Sequence, residues 1–265
     1  MSNCSVIVVN YNTGELLKKT IEAALENGSV HEILVVDNNS SDGSMGLVQE
    51  SKKLKKHYRT RNHGFASSCN FGANLATSEN LLFLNPDCIV NKTTIDILSD
   101  EINNLSGSAI IGCRVNNPDG TEQRASRRRL PTFWRSFKTF SKIERLAKYC
   151  HCFSGVNLNF QPMPENVIKV EAISGAFIMI KTKAFKKING FDEQFPLHFE
   201  DLDLFKRTLN AGFTIMFNPN ATVTHYQGTS SQSNPKVAQL KQIGRQRYFK
   251  KHLSYFSYLL VKFLK

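Results

Sequence analysis

The stretch Phe83-Leu-Asn-Pro-Asp-Cys-Ile-Val90, FLNPDCIV, reads as a buried strand cut short. Phe83 and Leu84 close an apolar run that starts at Asn80, and Asn85, Pro86 and Asp87 then stand where more apolar side chains would be expected. Proline has no N–H to give a sheet ladder, so the strand ends there and presents one amide and one carboxylate at its tip. Asn-Pro-Asp is a good turn sequence, and Asp87 could cap that turn. It could equally hold a divalent cation, and both readings are open on this segment alone.

The flanking sequence repeats the pattern. Ser5–Asn10 is a β-branched apolar run, followed after Gly14 by Leu16, Leu17, Ile21, Ala24 and Leu25 at helical spacing. Residues 32–37, EILVVD, form a second strand, followed by the turn-rich 38–43 and a short helix over 44–53. A weaker strand is expected near 57–61, a helix over 65–77, a strand over 80–84, a helix over 93–104 and a strand over 108–112. Alternating strands and helices imply crossovers and a mostly parallel α/β sheet covered on both faces. Ligands of such sheets gather beyond the carboxyl ends of the strands. Asn10, Tyr11, Asn12, Asp37, Asn39, Asn85 and Asp87 all fall at those ends.

The second half reads differently. Residues 124–149 are basic, with Phe133, Trp134, Phe137, Phe140 and Ile143 at helix-like intervals. Residues 170–180 are strand-like around Ser174-Gly-Ala176, residues 200–211 are helical up to Gly212, and 213–217 and 222–225 are short strands. From Pro235 the chain reads as a basic amphipathic helix. No internal repeat interrupts this order.

The chain has 265 residues, 41% of them hydrophobic, and a net charge of +12. All 22 acidic residues lie at or before Asp203, against 24 Lys or Arg, whereas the last 62 residues carry 10 basic side chains and no acid. Residues 124–148 add nine Lys or Arg against one Glu. Such asymmetry suggests a polyanionic neighbour: nucleic acid, an anionic membrane or a phosphorylated substrate. No apolar run approaches the roughly 18 residues of a membrane span, and the N-terminus lacks a basic region of the signal-peptide kind. Six scattered cysteines, of which only Cys150-His-Cys152 cluster, fit reduced thiols in a cytoplasmic protein.

Familiar signatures are missing. There is no P-loop and no G-x-G-x-x-G after the first strand. Residues 37–50 imitate an EF-hand, but Asp42 holds the glycine position and Val48 the twelfth. Without a glycine cradle, a nucleotide's diphosphate needs its charge met elsewhere, and a cation on Asp87 could do this. Glu200, Asp201 and Asp203 open a helix, where the dipole favours acids, and Asp203 and Arg207 are an i, i+4 pair. The apolar residues before them, 195–199, could raise a carboxylate's proton affinity and make it a general base. His225, alone at a strand end, reads more readily as a structural histidine than as a ligand.

Taken in order, VIVVNYN (6–12), ILVVDNNSSDGS (33–44), RNHGFASSCNFG (61–72), LFLNPD (82–87), ISGAFIMIK (173–181), NGFDEQF (189–195), FEDLDLFKR (199–207) and HYQGTSS (225–231) resemble the family 2 glycosyltransferases. These are inverting enzymes with the GT-A fold, and the likeness is to the bacterial rhamnosyltransferase-like branch. The resemblance implies a glycosyltransferase domain over 1–231, with a nucleotide-sugar half (1–112) and an acceptor half (113–231), followed by a basic helical segment over 232–265. It implies that Tyr11 and Asp37 hold the donor's base and that Asn10, Asn12, Asn39, Arg61, Asn62, Gly64, Asn70 and Asn85 line the donor pocket. Asn85-Pro-Asp87 stands where the family has Asp-x-Asp, which leaves Asp87 as principal ligand of Mn²⁺ or Mg²⁺, with His225 completing the site. Gly175, Ala176 and Arg207 fall on the acceptor side, and Asp201, beside Glu200, is the expected base.

The implied reaction moves a sugar, with rhamnose a candidate, from a nucleoside diphosphate to a hydroxyl of a glycan or of an undecaprenyl-pyrophosphate-linked saccharide in cell-surface polysaccharide synthesis. The tail, 245–265, could lie on the inner face of an anionic membrane or pack on the domain. Two rivals are weighed. A sugar-nucleotide nucleotidyltransferase would be expected to carry a glycine-rich basic N-terminal loop, and Asn10-Tyr-Asn12 is not one. A nucleic-acid-binding protein would account for the charge but shows no RNP, KH or helix-turn-helix pattern, so no nucleic-acid partner is expected.

Overall fold

A computed structural model describes residues 3–226 and 235–262. Strand β1 (Cys4–Asn10) is buried along its whole length, as the middle strand of a parallel sheet must be. Successive side chains point to opposite faces. Ile7 and Val9 therefore join one apolar core, and Val6 and Val8 the other.

The chain continues through α1 (Glu15–Leu25), β2 (Val30–Asp37), α2 (Ser44–Leu47), β3 (Leu54–Tyr58), α3 (Phe65–Leu75), β4 (Asn80–Leu84), β5 (Cys88–Val90), α4 (Thr94–Asn104) and β6 (Ser108–Asn116). It then forms β7 (Arg127–Arg128), α5 (Phe133–Phe140), two 3-10 turns (Ile143–Lys148 and His151–Phe153), β8 (Ile168–Val170), β9 (Ala172–Ile173), β10 (Phe177–Lys181) and α6 (Thr182–Lys187). Last come α7 (Glu200–Asn210), β11 (Thr214–His225), α8 (Pro235–His252) and α9 (Tyr255–Lys262).

The main sheet runs β3-β2-β1-β4-β10-β6-β11-β5, with β8 on a second edge of β11. β3, β2, β1 and β4 are mutually parallel, and only then does antiparallel β10 insert between β4 and β6. α1 and α4 cover one face, while α3, α6, α7 and α8 cover the other. Gly72 permits the close seat of α3, since a Cβ there would stand 2.6 Å from Ile7 Cγ2.

Several boundaries differ from those read in the sequence. The helix expected over 44–53 stops at Leu47 because Val48 is extended. The strand expected near 57–61 lies at 54–58, where buried Leu54 pairs with Ile33. The two short strands of 213–225 are one strand, β11, whose register slips between Asn218 and Thr222. The 170–180 segment is divided: β9 pairs with β7 in a separate small sheet, and β10 crosses the main one.

The C-terminal segment is two helices, and α8 packs on the domain with Tyr248 and Phe249 buried. Lys251 and His252 meet Asp203 of α7, each at 2.7 Å, and Arg207 closes on the same carboxylate at 2.7 Å. Burial alone would raise the proton affinity of Asp203. The hydrogen bonds of His252 and Lys251, with Arg207, outweigh it and hold the carboxyl well below the usual range. The expected division at 231/232 lies outside the described residues. No helix among the described residues is long and apolar enough to cross a membrane.

Candidate active site

The backbone of the Asn-Pro-Asp segment makes the turn by itself. Cys88 N–H donates to Asn85 O at 3.1 Å, and Tyr226 N–H donates to Asp87 O at 3.0 Å. Thr20 Oγ1 fastens Pro86 O to α1 at 2.9 Å. The Asp87 carboxylate instead turns toward His225, because antiparallel pairing of β5 with β11 sets His225 opposite Cys88. Its Oδ1 lies 3.1 Å from His225 Nε2, and Asn85 Nδ2 lies 3.3 Å from the same nitrogen.

Gln123 fixes the tautomer of that histidine. Its Nε2 donates to His225 O at 2.8 Å, so its Oε1 faces Nδ1 at 3.0 Å and must accept. The proton of the neutral ring then sits on Nδ1, and the Nε2 lone pair faces outward, the arrangement found in metal-ligating histidines. Nε2 and Asp87 Oδ1 are two acceptors at hydrogen-bond distance, and only a cation or a further proton between them makes that stable. The pair therefore fits a divalent ion. Among the described residues no three His, Cys, Asp or Glu side chains converge as a ready cation cage, so the rest of any shell would have to come from Asn85, water or a bound anion.

The second carboxylate is reached through one loop. Ala176 O accepts Asn85 N–H at 2.9 Å on one side. On the other, a Cβ at Gly175 would stand 2.9 Å from Asp201 Oδ2, so a side chain there would push the carboxylate from its place. Ser174-Gly-Ala176 thus stands between the Asp87 site and the start of α7. Arg128 Nη2 donates to Asp201 Oδ2 at 2.5 Å, and Arg128 Nε donates to Ile173 O at 3.1 Å. Neighbouring Glu200 is buried, and its Oε2 has no hydrogen-bond partner in the protein. Burial first, and then the charge of Asp201, push its proton affinity up. The apolar surroundings act on Glu200, while Asp201 receives an arginine.

At the other end of the strand tips, buried Asp37 accepts Asn10 Nδ2 at 2.8 Å and Ser40 N–H at 3.0 Å. Asn10 Oδ1 is buried with no partner. A cavity of about 200 Å³ opens here, lined by Asp37, Asn39, Ser40, Tyr58 and Arg59 among others. Tyr11 is 46% exposed at its side of the tips. Asn12 and Asn39 both take left-handed backbone, and Asn12 Oδ1 accepts Ser41 N–H at 2.8 Å. Arg61 and Asn62 are exposed, and Asn62 Oδ1 accepts Gly64 N–H at 2.9 Å.

Two expected site residues are occupied elsewhere. Asn70 is tied to the 191–193 segment through Phe191 N–H, Phe191 O and Glu193 Oε1, each at 2.9 Å. Arg207 holds Ile188 O, Gly190 O and Asp203, which makes it a clamp between α7 and the turn after α6 rather than part of the loop beside Asp201. Residues 227–231 of the HYQGTSS segment lie outside the described residues. The sequence reading missed Gln123, Arg128, Arg59 and Asn38, the last of which gathers His63 N–H, Ser68 Oγ and Gly64 O. Arg128 had one signal, a place in a basic stretch where few charges should be buried.

Comparison with known proteins gives this geometry its class. Residues 5–161 match the family "Glycosyl transferase family 2" and residues 163–230 match "N-terminal domain of galactosyltransferase". The chain belongs to glycosyl transferase family 2. It is 24% identical over 245 residues to the N-acetylglucosaminyl-diphospho-decaprenol L-rhamnosyltransferase of Mycobacterium tuberculosis, covering 87% of this chain and 78% of that one. It is 21% identical to rhamnosyltransferase WbbL of Escherichia coli, covering 86% and 85%. Among solved structures, the mannosyltransferase of Pyrobaculum calidifontis in complex with GDP-Man and Mn²⁺ superposes with a TM-score of 0.65 at 14% identity, over 99% of this chain and 69% of that one. Staphylococcus aureus TarS with UDP-GlcNAc does so at 0.61 and 17%, over 99% and 71%. The fold is the GT-A fold of these glycosyltransferases, and the chain is a glycosyltransferase.

Proposed function

We propose that this chain transfers a sugar, with rhamnose the first candidate, from a nucleoside-diphosphate donor to a hydroxyl of a glycan or lipid-pyrophosphate-linked saccharide, with inversion at the anomeric carbon. The observation that carries this reading is the Ser174–Ala176 loop, which sets the Asp87–His225 pair on one flank and Asp201 on the other. Residues 1–112 would bind the donor and 113–231 the acceptor. The relatives named as rhamnosyltransferases support the sugar, and the decaprenol-linked substrate in one relative's name supports a lipid carrier.

Asp37 and Tyr11 would receive the base, the carboxylate accepting an N–H and the ring stacking. Asp87 and His225 would hold Mn²⁺ or Mg²⁺, which when bound neutralises charge developing on the leaving diphosphate. Asp201 accepts the proton of the acceptor hydroxyl as that oxygen bonds to the anomeric carbon and the bond to the diphosphate oxygen breaks. Arg128 fixes the orientation of the Asp201 carboxylate. Glu200, whose environment favours its neutral form, leaves the negative charge of the pair on Asp201.

A thermal-shift series with UDP-, GDP- and dTDP-sugars in Mn²⁺ tests donor binding, and NMR of the product tests the stereochemistry. Stabilisation by one sugar nucleotide, and a product whose anomeric configuration is opposite to the donor's, are expected. No shift with any sugar nucleotide, or a product of retained configuration, would overturn the reading.

A further inference from the structure

Helix α5 packs one ring, Phe133, against the core and leaves its other rings toward solvent. The described part of its sequence that is buried is Ser136, while Trp134 is 67% exposed and Phe137 and Phe140 also face solvent. Residues at positions i, i+3 and i+6 span an arc of about 120° on a helix, so these three rings share one side. Leu146 and Tyr149, at the end of the following 3-10 turn, extend the exposed apolar surface. A scattered exposed ring is ordinary, but three exposed rings on one side of a helix, with two more exposed apolar side chains on the turn that follows, are not.

Charge identifies the occupant. Lys142, Arg145 and Lys148 are exposed along the same turns, and Lys148 lies 4.6 Å from the Tyr149 ring centroid. Arg245 of α8 covers the Phe140 ring at 5.3 Å. The one acid of residues 133–153, Glu144, is buried and taken up by Arg124 at 2.6 Å, Thr139 at 2.5 Å and Asn157 at 3.0 Å. What faces outward is aromatic rings among cations, with tryptophan at the most exposed position of the helix. Rings that favour the headgroup level, beside cations that bind anionic lipid, match a bilayer interface. A second protein copy would bring its own cations to this surface.

We infer that α5 and the turns that follow it, residues 133–153, form a docking surface for an anionic lipid bilayer. The inference stands on the surface itself and not on the choice of sugar or acceptor. The surface also lies close to the proposed chemistry: Phe133 is five positions after Arg128, which holds Asp201, a backbone reach of at most about 18 Å. A lipid-anchored acceptor entering from the bilayer would meet the acceptor side first. The tail, 245–265, for which the sequence leaves membrane contact and packing on the domain both open, touches α5 through α9.

Trp134 is the chain's single tryptophan, so its fluorescence reports on this surface alone. With the full chain, phosphatidylcholine vesicles containing phosphatidylglycerol should shift its emission to the blue, protect it from iodide and expose it to quenching by brominated acyl chains. Pure phosphatidylcholine should do none of this. Co-sedimentation with the anionic vesicles should fall about tenfold or more in Trp134→Ala/Phe137→Ala. It should fall about fivefold for each charge lost in Lys142→Gln and Arg145→Gln, and weaken with salt. Emission unchanged by anionic vesicles would overturn the inference. So would sedimentation equal to wild type in both sets of variants, or shielding of Trp134 that follows protein concentration in the absence of lipid, the mark of a second copy covering the surface.

Discussion

Asp87 and Asp201 are buried to nearly the same degree, with 14% and 13% of their side chains exposed, and they flank one loop. Their partners are opposite. Asp201 has a cation built into the protein, Arg128, at 2.5 Å. Asp87 faces a histidine nitrogen whose proton has been drawn to the far side of the ring by Gln123. The first carboxylate has its cation in the protein, whereas the second, beside a neutral ring, needs a cation or a further proton. In the proposed reaction this separates two tasks: a carboxylate that must be aimed and a carboxylate that must recruit.

The contrast breaks most sharply at Asp201. Asp201→Asn keeps the shape and removes the proton acceptor, so turnover should fall by about two to four orders of magnitude. Binding of the sugar nucleotide, measured by calorimetry, should stay within a few-fold of wild type. Near-normal turnover would take the base role from Asp201 and leave it a structural partner of Arg128.

Asp87→Ala should do the reverse. Turnover should drop about a hundred- to a thousandfold, the loss typical when one stabiliser of developing charge is removed, and Mn²⁺ should no longer strengthen nucleoside-diphosphate binding. If the variant still responds to Mn²⁺ as wild type does, the ion sits elsewhere. Gln123→Leu is a finer cut on the same side. It leaves both ligands in place but frees the ring to choose its tautomer, and should weaken Mn²⁺ affinity about ten- to a hundredfold. Donor binding without Mn²⁺ should not change.

How much of this was legible in the chain follows from sequence distance. β1, β2 and β4 could be read because each is a continuous apolar run that ends in a polar residue, and the site positions at their tips came with them. The strand order could not be read from periodicity: β10 enters beside β4 because of pairings across nearly 100 residues, as in Phe177 with Leu84. Asp87 and His225 were each ambiguous in isolation, and the family resemblance rather than local spacing put them together; the pairing of β5 with β11 explains their approach physically. Arg128 and Gln123 left little trace because their roles exist only through partners 73 and 102 positions away. Arg207 was misleading for a related reason. Its i, i+4 bond to Asp203 was visible, but the two carbonyls that absorb its remaining donors were not.

The smallest effect concerns Glu200, and its sign can be worked out. In the unfolded chain a glutamate loses its proton near the ordinary value of about 4.3. In the folded protein burial and the adjacent charge of Asp201 raise the proton affinity of Glu200. Between those two values the native state binds more protons than the unfolded state, so stability falls as pH rises. Below the ordinary value both states are protonated and the penalty vanishes. Glu200→Gln, neutral at every pH, should therefore remove the decline. Its melting temperature should match wild type below about pH 4, exceed it increasingly up to the folded value of about 8, and stay ahead by a constant margin above that, by about 2–4 °C for each kcal/mol of penalty removed. Parallel melting curves across that range would mean that Glu200 ionises freely in the folded protein, and that the charge is shared between Glu200 and Asp201 rather than carried by the one that Arg128 holds.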